Sequence, residues 1–123
     1  MIRGIRGATT AGSNKEQEVL LSTKQLLDEM ILHNRIMPER IASVFISGTN
    51  DIGSVFPAKA LRQLEGWTYV PVMCMQELDV EGGLPLCIRV MIHYNTDEPQ
   101  EEIQHIYKNE AIRLRPDLGT KGS

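Results

Sequence analysis

Between Leu86 and Ile92 every second residue is a large aliphatic: Leu86, Ile88, Val90 and Ile92. A period of two places these side chains on one face of a strand and Cys87, Arg89 and Met91 on the other. Arg89 is the one charge in a run that otherwise reads as covered on both sides. A guanidinium is permanently charged and seldom goes inside without a partner. The chain must therefore build a sheet around this charge and supply something for it to hold.

Strand-like stretches recur at "MIRGIRGA", at "IASVFISG" (41–48), at "YVPVMCMQ" (69–76) and, last, at "EAIRLR" (110–115). The clearest helix is "SNKEQEVLLSTKQLLDEMILHNR" (13–35). Ser13 and Glu16 have the spacing of a capping box, and Val19, Leu20, Thr23, Leu26, Leu27, Met30 and Ile31 form one apolar stripe. A shorter helix is expected over "PAKALRQLEG" (57–66), with Pro57 opening it and Gly66 closing it. A third is expected over "TDEPQEEIQHIY" (96–107). There is no repeat, low-complexity tract or linker. The pattern predicts one mixed α/β or α+β domain over residues 1–115, with a five-stranded mixed sheet and helices on one face. "PDLGTKGS" (116–123) has the composition of a flexible tail.

A chain of 123 residues buries about 65% of its unfolded surface, enough for one core. Helices on one face leave Met73, Met75, Cys87 and Met91 on the other, where water contact is costly. Burial against further copies of the chain is the expected remedy. With 13 basic and 16 acidic residues, and no basic run, nothing points to nucleic acid. No apolar run reaches the ~18 residues of a membrane span, and the N-terminus lacks a signal peptide's apolar segment. A cytoplasmic protein without a membrane partner is expected, with Cys74 and Cys87 as free thiols. His33, His93 and His105 are scattered away from any metal-ligand spacing, so no metal is expected.

"GATTAGS" (7–13) has the glycine spacing of a phosphate loop, but Ser13 stands where the lysine belongs, and a turn before the helix is the better reading. No nucleophile–base set can be assembled. A buried free cysteine such as Cys74 is ordinarily a small hydrophobe, and Glu77 and Asp79 read as strand-end and turn residues. Arginine remains. Arg3, Arg40 and Arg113 suit a surface role with the stem laid along the sheet. Arg6 and Arg89 interrupt apolar strands with no acidic partner near in sequence, and so suggest an anionic ligand, a carboxylate that arginine can hold bidentately. The residues alone lead to a small α/β oligomer that binds a polyanionic small molecule.

"IRGIRGATT", "VFPAKALRQLEGWTYVPVMCMQELDVEGGL", "CIRVM" and "LRPDL" together resemble the monofunctional, trimeric chorismate mutases of the Bacillus type, over nearly the whole chain. The resemblance implies a homotrimer whose sheets pack into a pseudo-α/β-barrel, with sites at the subunit boundaries. It implies the rearrangement of chorismate to prephenate, on the way to phenylalanine and tyrosine, without a cofactor. Its functional positions fall on Arg6, Glu77, Arg89 and Tyr107, with Cys74 as a second polar neighbour of the ring. Phe56, Ala58, Lys59, Arg62, Val72, Met73, Leu114 and Arg115 are implied to line the pocket or its mouth. Met73 stands where the family pattern has Thr. Two rival readings are a non-catalytic dicarboxylate-binding trimer and an enamine or imine deaminase on a similar barrel. Glu77 beside the arginines disfavours the first, because its charge repels an anion.

Overall fold

The computed structural model describes residues 1–114; Arg115 and the proposed tail, 116–123, lie outside them. The strands are β1 (Ile2–Thr10), β2 (Ile41–Gly48), β3 (Val72–Gln76), β4 (Cys87–Asn95) and β5 (Ile106–Tyr107), and one long helix, α1, spans Glu16–Asn34. They form a single sheet in the order β3-β2-β4-β1-β5. β4 runs antiparallel to β1 and β2, whereas β3 and β5 lie parallel to their neighbours. Among the described residues, no helix is long and apolar enough to cross a membrane.

One face of the sheet carries Ile5, Val44, Ile46, Ile88, Val90 and Ile92, all buried with Val19, Leu26, Leu27 and Met30 of α1. Gly7 belongs to this face. A Cβ there would run into Met30 Sδ, so the helix sits close because residue 7 has no side chain. The opposite face has no such cover: Met73 is 62% and Met75 45% exposed. The mixed sheet, the main helix on one face and the exposed methionines on the other are as the sequence implies, but Cys87, expected uncovered on that second face, is only 2% exposed, and Ala111 packs there against Ala8 and Tyr107.

Five local expectations are corrected. Ser13 and Glu16 form no capping box: Lys15 occupies the N-cap without a side-chain cap bond, and Ser13 Oγ accepts from the Lys15 amide at 3.2 Å. Asn14 Oδ1 meanwhile holds the amides of Gly53 and Ser54, so this segment serves a neighbouring loop rather than the helix. Residues 57–66 make a 3₁₀ helix, Pro57–Gln63, ending before Gly66.

The expected third helix shrinks to one 3₁₀ turn, Gln100–Glu102. Asn34 exchanges two hydrogen bonds with the backbone of Gln104, and Ile106–Tyr107 then pairs with Gly7–Ala8 as β5. "EAIRLR", expected as the fifth strand, lies instead in the 3₁₀ helix Asn109–Leu114 as far as it is described. Asn109 turns the chain with φ 54° while its Nδ2 donates to Thr9 Oγ1 and the Thr10 carbonyl. The glycine-rich "GATTAGS" is also no simple turn, since β1 runs through to Thr10.

Candidate active site

Cross-strand partners share a face of the sheet. The registers therefore put Tyr107, Ala8, Arg89, Ser47 and Met75 in one row across all five strands on the open face. Arg6 lies one row away, opposite Met91. Arg6, Arg89, Tyr107 and Leu114 line a cavity of about 290 Å³ on this face, with Ser47 and Met75 on its wall. The local sequence explains the aim of the two arginines: Arg89 sits at an outward position of a strand whose inward residues are Ile88, Val90 and Ile92, and Arg6 lies between Ile5 and Gly7, which face α1.

Neither arginine is fully buried, which corrects the expectation from the alternation. The Arg89 side chain is 40% exposed, and it has an acidic partner after all: Glu77 Oε2 lies 3.2 Å from Arg89 Nε. Glu77 just follows β3, its amide held by the Gly48 carbonyl at 2.9 Å and its carboxylate taking a hydrogen bond from Ser47 Oγ at 2.7 Å. Tyr107 is 1% exposed, and among the described residues its hydroxyl has no hydrogen-bond partner. A buried hydroxyl left so costs about 1–3 kcal/mol.

Behind the pair, Cys87 is buried next to Arg89. Burial pushes its thiol above the ordinary value of 9.0; the Arg89 guanidinium pulls the other way, and the charges of Glu77 and Asp51 add to the rise. Both cysteines are free thiols, and no group of side chains among the described residues could hold a metal ion.

The remaining expected residues are elsewhere. Phe56, Ala58, Lys59, Arg62, Val72 and Cys74 line a second depression of about 300 Å³. Cys74 pairs with Ile46 and packs against the main core, so it is on the α1 side of the sheet, whereas the Arg6–Arg89–Tyr107 cavity is on the other. Met73 joins neither set of lining residues; its register partner is Phe45, on the open face. Arg115 lies outside the described residues. Ser47 is a residue that sequence patterns do not reveal. Its only signal is its place in the outward alternation Ser43, Phe45, Ser47, which says nothing of the carboxylate it meets.

Comparison with known proteins identifies the family. A family model described as chorismate mutase type I matches residues 2–118. The chain is 55% identical over 118 residues to a chorismate mutase of Bacillus subtilis strain 168, AroH, covering 96% of this chain and 93% of that one. It is 44% identical over 119 residues to the chorismate mutase AroH of Thermus thermophilus, covering 96% and 97%. Among solved structures, a chorismate mutase from Clostridium thermocellum matches with a TM-score of 0.87 at 44% identity, over 91% of this chain and 99% of that chain.

Proposed function

The chain belongs to the chorismate mutase type I family, and from that membership we propose how its residues carry the rearrangement of chorismate to prephenate. The enzyme is an isomerase. Its reaction breaks a C–O bond and makes a C–C bond within one molecule, moving no proton to or from the protein. Such chemistry asks for two things: a folded substrate and a field matched to the charge that develops.

Folding is the task of cations placed on the substrate's carboxylates, which turns a rare conformer into the bound one. Arg6 and the Tyr107 hydroxyl take the carboxylate of the enolpyruvyl arm. As the ether bond lengthens, negative charge gathers on its oxygen and positive charge on the ring. Arg89 donates to that oxygen, a fixed donor aimed at charge that exists fully only in the transition state. Glu77 faces the ring and its hydroxyl. The observation that carries this reading is the convergence of Arg6, Arg89 and Tyr107 on one cavity.

The second depression completes the site from a neighbouring subunit. Cys74 and Arg89 are on opposite faces of one sheet, so one substrate cannot bridge them within a chain. In a homotrimer, the open face of one subunit meets the Phe56–Arg62 side of the next, and Lys59 and Arg62 add positive charge at the mouth. Leu114 belongs to the Arg89 half. The same assembly covers Met73 and Met75. Purified protein should consume chorismate, followed by loss of its ultraviolet absorbance, without added metal or nucleotide. A folded preparation that leaves chorismate untouched at its uncatalysed rate would overturn the assignment.

A further inference from the structure

We propose that Ser47 is a positioning residue for the Arg89–Glu77 pair, an inference that rests on the roles just given to those two side chains. Ser47 stands directly across from Arg89, on β2 against β4. Its hydroxyl donates to Glu77 Oε2 at 2.7 Å, the same oxygen that lies 3.2 Å from Arg89 Nε. The next residue of β2, Gly48, holds the Glu77 amide through its carbonyl. Two successive residues of a central strand therefore clamp Glu77, one by its backbone and one by its carboxylate.

The clamp matters because the ion pair cannot do this work alone. With 40% of the Arg89 side chain and 24% of the Glu77 side chain exposed, water screens their attraction, and such pairs hold geometry weakly. A hydrogen bond from a neutral hydroxyl to a carboxylate is directional and stronger than a neutral one. A glutamate has three side-chain torsions to freeze, and the Ser47 bond freezes the carboxylate against a rigid strand. Among the described residues Arg89 Nε lies beside that fixed oxygen without a hydrogen bond to it, so what Ser47 holds in place is the charge that the guanidinium faces, and the outer Nη edge can turn to a ligand. Ser47 does not touch the reacting atoms in this scheme; it acts through Glu77.

Three single variants and a double variant test it, each checked for fold by circular dichroism and thermal melting. Ser47→Ala should lower kcat by about tenfold, the scale of one hydrogen bond to a charged group, with KM changing by less than about twofold. Ser47→Thr, which keeps the hydroxyl, should hold kcat within about twofold to threefold of the parent. Ser47→Ala added to Glu77→Ala should cost no further rate, because residues acting as a unit are not additive. Parent-like kcat in Ser47→Ala, failure of Ser47→Thr to keep the rate, or a further tenfold loss in the double variant would each overturn the proposal. Parent-like kcat in Glu77→Ala, with Ser47 intact, would instead remove Glu77 from the site and take the proposal down with it. A slow Glu77→Ala beside a normal Ser47→Ala would leave the site standing and refute the positioning role alone.

Discussion

Arg89 and Tyr107 flank Ala8 in a single row of the sheet, each its direct register partner. Only a methyl side chain therefore stands between the strand that presents the guanidinium and the strand that presents the Tyr107 hydroxyl. Ala8 is itself buried, packed with Tyr107 and Ala111. Ala8→Leu would project into that gap. It should cost about 1–3 kcal/mol of stability through overpacking, and in the folded protein it should lower kcat/KM by about 10²-fold by forcing the two donors apart. A folded Ala8→Leu enzyme with parent kcat/KM would show that the two side chains need not act on one ligand.

Arg89→Lys keeps one positive charge but loses the planar fork and the Nε that meets Glu77. Its kcat should fall by at least about 10²-fold, the scale of removing one donor from an oxyanion site, with the fold retained. Stopped-flow or steady-state absorbance on the folded variant decides this. Near-parent turnover would mean that charge alone, without the guanidinium's geometry, suffices.

Subunit mixing checks whether the two depressions are halves of one site. Arg89→Ala inactivates the open-face half and Cys74→Trp blocks the α1-side half, each leaving the other half whole. Unfolding the two variants together and refolding them at equal amounts should restore activity. Random assortment in a ring with head-to-tail interfaces rebuilds about a quarter of the sites. If parent subunits treated alike regain activity and the mixture regains none, each site is built within one chain.

The buried Cys87 thiol should shape the alkaline limit of stability. Its folded value is raised above 9.0, so the folded state keeps a proton that the unfolded state loses. The stability from this group is whole below about pH 9 and falls as the pH rises beyond it. Urea midpoints at pH 8 and pH 10 should therefore drop further for the parent than for Cys87→Ala, whatever the constant cost of the substitution. Equal drops would place the Cys87 thiol in contact with water.

What the sequence determines by itself is what repeats locally. The period of two in β1, β2 and β4 and the apolar stripe of α1 are enough to assign elements and faces. The same alternation points Arg6 and Arg89 outward from the helix-covered side. Where an element depends on a partner far along the chain, local pattern misleads. "QEEIQHIY" has the composition of a helix, yet Ile106 and Tyr107 become a strand because Gly7 and Ala8, about a hundred residues earlier, offer a free edge. Ser13 has the spacing of a cap, but the helix starts without its hydroxyl because it is used within its own turn. The site shows the same division. Arg89 is legible as a charge in search of a partner; that the partner is Glu77, steadied by Ser47, follows from strand register, which no local pattern contains. Only the tertiary structure places Tyr107 and Arg89 around one alanine and Cys74 behind the sheet, because pairing between strands, not composition along them, decides which side chains meet.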